Sequence, residues 1–268
     1  MVAVAVPALP TAPPARWSAA PPPLAVRISN VTKVFTGGAG SITALDDISL
    51  AVQQGEFVCI LGASGCGKST LLNVVAGLDR PTRGEVECLG SPSFMFQEAA
   101  LFPWLSVERN VELPLKLRRV PGSERRARVA ELLDLVQLTA FARRQPHELS
   151  GGMRQRVALA RALAHDAEVV LMDEPFGALD AMTRDILHDE LERIWQATGR
   201  TVMFVTHNVR EAARLSDRIV LLTTRPGRVA EEFEVDIPRP RRIEDPDVAA
   251  LAARITARLR EEVARHGI

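Results

Sequence analysis

A glycine-rich stretch between a buried strand and a helix constrains the fold of this chain more than any other feature. An apolar run over residues 56–61 leads directly into residues 62–69, which read G-A-S-G-C-G-K-S and precede a helical pattern. The stretch fits the phosphate-loop pattern G-x-x-x-x-G-K-[ST], with the flanking strand and helix that the pattern requires. The sequence therefore predicts a nucleotide-binding α/β domain built around this loop.

The residue types in the loop suit phosphate binding. Glycine at Gly62, Gly65 and Gly67 lets the backbone wrap a phosphate with its N–H groups. Lys68 is expected to neutralise the β and γ phosphate oxygens, and the Ser69 hydroxyl to bind Mg²⁺. A nucleophile elbow centred on Ser64 is excluded, because that motif needs a second glycine where this chain has Cys66. The other loop residues expected to contact the nucleotide are Ala63, Ser64, Cys66 and Thr70.

Three further strand ends carry polar side chains. Residues 169–174 are four apolar residues followed by two carboxylates and then a proline. Asp173 is expected to hold Mg²⁺ and Glu174 to accept a proton from water, although such a pair can also be two solvated loop charges. His207 and Gln97 each follow an apolar strand. A lone residue of either type at a strand end is often structural, but beside Lys68 and Glu174 we expect His207 to contact the γ-phosphate.

A second stretch, residues 149–156, has the features of an anion site. It reads L-S-G-G-M-R-Q-R. Ser150 is a favourable N-cap, and Gly151 and Gly152 would leave the N–H groups of the first helical turn uncovered. The helix that follows has one apolar face, formed by Met153, Val157, Ala160 and Ala164. Because the chain already has a complete phosphate loop, this second site needs its own explanation.

Strand and helix patterns alternate along the chain, which indicates a mostly parallel sheet. We predict a disordered, Ala- and Pro-rich extension over residues 1–24, a sheet domain over 25–242, and a C-terminal helix over 243–268. An amphipathic helix at residues 124–138 marks a helical insertion over about 100–163. Other predicted helices begin near 71 and span 180–197. The predicted strands are 26–35, a second ending near 52, 56–61, 85–89, 168–172, 201–205, 218–222 and 228–235, and the chain after 85–89 leads through residues 93–95 into Gln97 at a strand end.

Composition excludes some classes of function. Charged residues make up 25% of the chain and balance to zero net charge, so binding of nucleic acid by bulk charge is not expected. The three cysteines form no C-x-x-C pair, which favours a reducing compartment. For Cys66 a thiol-sensitive role and a space-filling role both stay open. No run approaches the roughly 18 apolar residues of a spanning helix, and the start of the chain is a poor signal peptide, so any membrane connection would run through a partner.

Six elements in order make the chain from about 26 to 242 resemble the ATPase subunits of ABC transporters. Residues 62–70 match the Walker A motif, Gln97 the Q-loop, residues 149–155 the signature motif, and residues 169–174 the Walker B motif. Residues 176–180 match the D-loop and His207 the switch histidine. The resemblance implies a P-loop NTPase whose mostly parallel sheet core carries an antiparallel β subdomain and an inserted helical subdomain.

The resemblance also implies ATP and Mg²⁺ as ligands. Ser69, Gln97 and Asp173 would bind the metal, and Glu174, His207, Gln97 and Lys68 would serve catalysis. Phe35 falls where the family stacks an aromatic ring on adenine, but core packing is an alternative. In this family two copies close head to tail, so a second copy's ATP would be contacted by Ser150, Gly151, Gly152, Gln155 and Asp180.

Several features narrow the resemblance to importers. The chain has one ATPase unit and too few residues after Pro238 for a regulatory domain. The apolar run at residues 101–104 could receive a permease helix, or be buried. The amino-acid sequences of residues 98–107, 171–184 and 224–229 are similar to those of the nitrate, sulfonate and taurine importer branch. We therefore expect a peripheral subunit on the cytoplasmic side of the inner membrane, bound to permease subunits and served indirectly by a solute-binding protein, with aliphatic sulfonate as the first candidate cargo. The alternative is a non-transport ABC ATPase, such as a cluster-assembly or mechanical clamp protein.

Overall fold

The computed structural model describes residues 23–37, 40–177 and 179–265, which contain nine strands, seven α-helices and two short 3₁₀ helices, Thr139–Phe141 and Pro146–Glu148. Most of the predicted extension, residues 38 and 39 of the predicted turn, Ala178 of the D-loop match and the last three residues of the predicted C-terminal helix lie outside these ranges. The strands are β1 Leu24–Gly37, β2 Gly40–Gln53, β3 Phe57–Leu61, β4 Arg83–Cys88, β5 Ser93–Met95, β6 Val169–Asp173, β7 Thr201–Thr206, β8 Arg218–Leu222 and β9 Val229–Glu234. The helices are α1 Lys68–Val75, α2 Val107–Leu117, α3 Gly122–Leu135, α4 Gly151–Ala164, α5 Ala181–Thr198, α6 Val209–Leu215 and α7 Pro246–Arg265.

The strands form two sheets. The larger has six strands in the order β5-β6-β7-β3-β8-β9, parallel except for the edge strand β9, which pairs antiparallel with β8. The smaller sheet, β2-β1-β4, is entirely antiparallel. The predicted fold class, a mostly parallel core with an antiparallel β part and added helices, is therefore confirmed.

The larger sheet is buried on both faces. All five residues of β3 are buried, and they alternate between two cores. Phe57, Cys59 and Leu61 join a core that also contains residues of α4, α5, α6 and α7. Val58 and Ile60 join a second core, formed with α1 and the antiparallel sheet. Continuous apolar runs such as F-V-C-I-L are typical of parallel strands covered on both sides.

The helical region between β5 and β6 differs in detail from the prediction. The sequence patterns missed α2, because it contains Pro114 and proline normally interrupts a helix. The predicted helix 124–138 is observed as α3 and ends earlier. Gln137 has φ +58°, so the chain turns there and Leu138 enters the core from outside the helix. Helices α2, α3 and α4 pack on one another.

The C-terminal helix α7 packs against α6, which the sequence patterns also missed. Its buried apolar residues Val248, Leu251, Ala252 and Ile255 all belong to the first core. Across the described parts of the chain, every helix is too short or too polar to cross a membrane.

Candidate nucleotide-binding site

A cavity of about 590 Å³ lies where the loops after several strands of the larger sheet meet. This size falls within the roughly 300–1,000 Å³ typical of small-molecule sites. The carboxyl ends of parallel strands share one sheet edge, so residues distant in sequence converge there. The cavity is lined by Phe35, Ile42, Ala44, Ser64, Gly65, Gly67, Lys68, Ser69, Thr70, Gln97, Glu174 and Arg225.

The phosphate loop joins β3 to α1. Lys68 is buried, and its Nζ donates to the carbonyl oxygens of Gly62 and Ala63, each at 3.0 Å. Gly67 caps the helix with φ +105°, and a Cβ there would lie 2.7 Å from the Ala44 carbonyl oxygen. Only glycine meets both conditions, because it tolerates positive φ and has no side chain. The loop thus keeps a charged amine beside a backbone that can approach an anion closely.

A hydroxyl and a carboxylate lie together beside the phosphate loop. The Ser69 hydroxyl donates to Asp173 Oδ1 at 3.0 Å, and Gln97 lines the same cavity. Burial raises the pKa of Asp173, as does the neighbouring Glu174, while the hydrogen bond from Ser69 and the charge of Lys68 oppose that rise. Hard oxygen donors of this kind suit Mg²⁺. In the described ranges, no group of three or more His, Cys, Asp or Glu side chains could hold a metal, so such a site would use these residues together with ligand oxygens.

Glu174 has an unusual backbone conformation. It follows the last residue of β6 with φ +42°, and its N–H donates to the Val205 carbonyl oxygen at 2.9 Å. Its Oε2 lies 2.9 Å from His207 Nδ1, and its Oε1 lies 3.7 Å from Lys68 Nζ. A non-glycine residue in this region is strained, and such strain clusters at functional sites. The backbone therefore holds this carboxylate between a lysine and a histidine.

His207, the predicted γ-phosphate contact, lies at the rim of the site. Its side chain is 60% exposed, and it is positioned by its contact with Glu174.

Phe35 faces the cavity and is 46% exposed, so the core-packing alternative for this ring is wrong. Lys33 Nζ lies 4.9 Å from the centroid of the ring. Ile42, 55% exposed, lines the same cavity. Sequence reasoning missed Ile42, Ala44 and Arg225, because none of them belongs to a phosphate-binding motif.

Residues 149–156 lie outside this cavity, at the start of α4. Ser150 is the N-cap, and its hydroxyl accepts from the Met153 N–H at 3.2 Å. Gly152 is buried, and a Cβ there would meet Thr183 Cγ2 at 2.5 Å. Close packing of α4 on α5 therefore gives glycine at 152 a structural reason, in addition to the uncovered first turn that the sequence predicts. Asp180 caps α5, and its Oδ1 accepts from the Thr183 N–H at 3.0 Å.

Gln155 differs from its expected position at an exposed helix start. It is 6% exposed, and its Nε2 donates to the Gln97 carbonyl oxygen at 2.9 Å. Arg161, on the same helix, donates to the carbonyl oxygens of Ala99 and Ala100. Since both side chains bind backbone of the loop after β5, Gln155 in this conformation links α4 to that loop and is not accessible to a second copy's nucleotide.

A phosphate loop opening a helix beside a strand-end carboxylate, on a mostly parallel sheet, defines the class of P-loop NTPases. The family model described as "ABC transporter" matches residues 45–177. The chain belongs to the ABC transporter ATP-binding protein family, and it is an ATPase of the kind coupled to transport.

Named relatives are similar over most of their length. An uncharacterized ABC transporter ATP-binding protein of Methanocaldococcus jannaschii is 48% identical over 81% of this chain and 84% of its own. The nitrate import ATP-binding protein NrtD of Synechocystis is 44% identical over 80% and 83%. The aliphatic sulfonates import ATP-binding protein SsuB of Bacillus cereus is 44% identical over 81% and 89%. The taurine import ATP-binding protein TauB of Jannaschia is 46% identical over 78% and 81%.

Solved structures agree with the fold. The dimeric structure of MJ0796, a bacterial ABC transporter cassette, superposes with a TM-score of 0.71 at 38% identity, covering 80% of this chain and all of that one. A post-hydrolysis dimer of the same cassette, bound to ADP and Pi, gives a TM-score of 0.69 at 37% identity over the same shares. That cassette thus adopts this fold as a dimer, in the second structure with nucleotide bound.

Proposed function

We propose that this chain is the ATP-hydrolysing subunit of an importer for a small anion. The observation that carries ATP hydrolysis is the placement of the Glu174 carboxylate between Lys68 and His207, at the cavity that also holds Phe35. The import role is supported by the names of the relatives. A cation for phosphates, a general base and an exposed aromatic ring are the groups that binding and hydrolysis of ATP require.

The chain's own residues divide this work. The Lys68 amine leaves the Gly62 and Ala63 carbonyls and binds phosphate oxygens, because charge-assisted bonds to an anion are stronger than bonds to neutral carbonyls. Glu174 accepts a proton from water, and His207 orients this carboxylate. Ser69, Asp173 and Gln97 would hold Mg²⁺, which would neutralise charge on the phosphate oxygens. Phe35 presents the face of its ring to the adenine of ATP.

The second half of each site comes from another copy of the chain. Ser150, Gly151 and Asp180 do not line this chain's own cavity. The related cassettes of known structure are dimers. One helix terminus contributes only about 0.3–1 kcal/mol to anion binding, so ATP itself must supply most of the adhesion between the copies.

An apolar loop after β5 is the proposed permease contact. Trp104 is 69% exposed, and its ring lies 5.5 Å from that of Phe102. The loop is held by the buried Asn110, whose Nδ2 donates to the carbonyl oxygens of Phe102, Leu105 and Ser106. An exposed aromatic ring on a fixed backbone suits a protein partner, because little freedom is lost on binding.

The permease contact is tested by detergent pull-down from source membranes. The wild-type chain is expected to recover a multi-span membrane protein, and Trp104→Ser to lose it. Leu78→Ser is the matched control, since Leu78 is 61% exposed and lies outside this loop in sequence, after α1. Recovery of soluble proteins alone would instead favour the non-transport ABC ATPase.

The cargo is proposed from the relatives' names, because an ATPase subunit does not touch it. Aliphatic sulfonate is the first candidate, followed by taurine and nitrate and then by bicarbonate or a pyrimidine precursor. Uptake into vesicles that contain the recovered permease and a solute-binding protein distinguishes them. ATP-dependent accumulation of one of these compounds is expected, and accumulation of none would contradict the proposed cargo class.

A further inference from the structure

The turn between β8 and β9 reads T-R-P-G-R-V and forms one wall of the nucleotide cavity. Its Gly227 N–H donates to the Ala44 carbonyl oxygen at 3.0 Å, and the Asp46 N–H donates to the Gly227 carbonyl oxygen at 2.9 Å. A Cβ on Gly227 would lie 2.3 Å from the Cys66 carbonyl oxygen. The turn is therefore fixed between the phosphate loop and β2, and it requires glycine because there is no space for a side chain.

Arg225 projects from this turn onto the phosphate loop. Its Nε donates to the Gly65 carbonyl oxygen at 2.9 Å, and the side chain lines the cavity. Its Nη2 lies only 3.1 Å from the position that a Cβ on Gly65 would take. The guanidinium thus lies against the loop, directly beside the backbone that would bind a phosphate.

Arg225 differs from Lys68 in its acidic neighbours. Lys68, the other cation of the cavity wall, has the Glu174 carboxylate at 3.7 Å. No acidic side chain in the described ranges pairs with Arg225, which is exposed. An arginine carries five N–H donors in a planar fork that matches phosphate oxygens, and the bond to Gly65 uses one of them.

We infer that Arg225 is a second phosphate-binding cation of this site, supplied by the β8–β9 turn. The inference rests on the proposed role of the cavity in binding ATP. Arg225 lies beyond residues 45–177, where the family model matches, and in none of the six motifs. The bond to Gly65 holds the guanidinium at the cavity, and its remaining N–H groups bind the phosphate chain of the nucleotide.

Isothermal titration calorimetry with ATP tests the inference, with a chelator present so that hydrolysis does not occur. Arg225→Gln is expected to raise the Kd for ATP by about ten-fold, the effect of losing one charge-assisted hydrogen bond. The affinity of this variant should also depend less on salt, because one cation fewer faces the phosphates. Arg225→Lys, which keeps the charge, should recover part of the loss.

Arg228→Gln is the matched control. Arg228 lies three residues further along the same turn, but it pairs with Asp46 and does not line the cavity. This variant should bind ATP as the wild type does.

If the wild type binds ATP and Arg225→Gln binds it equally well, the inference is wrong while the proposed function stands. If Arg225→Gln loses the same factor of ATP affinity at low and at high salt, Arg225 only supports the loop, and direct contact with the phosphates is contradicted. Failure of the wild type to bind ATP would instead contradict the proposed function.

Discussion

Glu174 is the residue whose environment most directly suits proton transfer. Its backbone is strained at φ +42°, and its carboxylate contacts both Lys68 and His207. The histidine holds one carboxylate oxygen, and the other faces the lysine. A carboxylate fixed in this way is the proposed general base beside the phosphate loop.

Replacing Glu174 by glutamine removes this proposed base while keeping the shape of the side chain. Glu174→Gln is expected to lower ATP turnover by about 10²–10⁴-fold, because an amide cannot accept the proton. ATP binding should persist, since the phosphate loop is unchanged. The measurement is steady-state phosphate release together with ATP binding by calorimetry. Glu168→Gln is the control, because Glu168 is exposed just before β6 and should not affect turnover. Wild-type turnover in Glu174→Gln would assign the base to another residue.

The second prediction concerns the thiols. Burial raises the pKa of Cys59, Cys66 and Cys88, and the thiolate is the reactive form. Below these raised pKa values little thiolate forms, so alkylation at neutral pH should be slow and should begin at the half-buried Cys88. Mass spectrometry after native iodoacetamide treatment should find Cys66 unmodified and ATP turnover retained. Rapid labelling of Cys66 with loss of ATP binding would establish the thiol-sensitive role over the space-filling one.

At the residue scale, the sequence predicts those residues of the site that belong to a local pattern. The phosphate loop is contiguous, and Asp173 and Glu174 follow a recognisable buried strand, so all were predictable. Ile42 and Arg225 come to the cavity through tertiary packing of β2 and of the β8–β9 turn. Neither carries a local pattern typical of nucleotide contact. Phe35 was a candidate by position, but only the fold decides that it faces the cavity.

At the scale of elements, the start of α4 is proposed to act on the nucleotide of a second copy. Ser150 is exposed at its N-cap, and Gly152 is packed against Thr183 of α5. Asp180 caps α5 with its side chain. The two helix starts are therefore in fixed contact, so they would approach a partner together.

The third prediction concerns steric obstruction of this helix start. Ser150→Arg should abolish ATP turnover while leaving ATP binding largely intact, because a long cationic side chain would obstruct the approach of the second copy. Ser106→Arg is the control, since Ser106 caps α2 in the same way. Both variants lose an N-cap, which costs about 1 kcal/mol. Equal activity in the two variants would contradict a special role for α4, and melting temperatures would show that both are folded.

Element boundaries were predictable where periodicity was uninterrupted. Strand β8 matches its expected range, because it is a mostly buried apolar run. Helix α2 was missed because of Pro114, and the early end of α3 depends on the positive φ of Gln137. Single-residue backbone conformations of this kind are set by surrounding packing and leave no periodic signal.

At the scale of the whole molecule, the parallel sheet organises both the core and the site. Its two buried faces fix β3, β6 and β7 side by side, so that the phosphate loop, Glu174 and His207 meet at one edge. The sequence predicts this convergence, since carboxyl ends of parallel strands share an edge. It does not predict the strand order, which depends on how distant helices cover each face.

The central claim is that a complete ATP site requires two copies of this chain. The measurement is the molar mass of Glu174→Gln by light scattering after size-exclusion chromatography, with ATP and Mg²⁺ and then with ADP. We predict the mass of two chains with ATP and of one chain with ADP, and one chain in both cases when Ser150→Arg is added. The claim would be contradicted if Glu174→Gln saturated with ATP had the mass of one chain and the monomeric wild type hydrolysed ATP at the full rate.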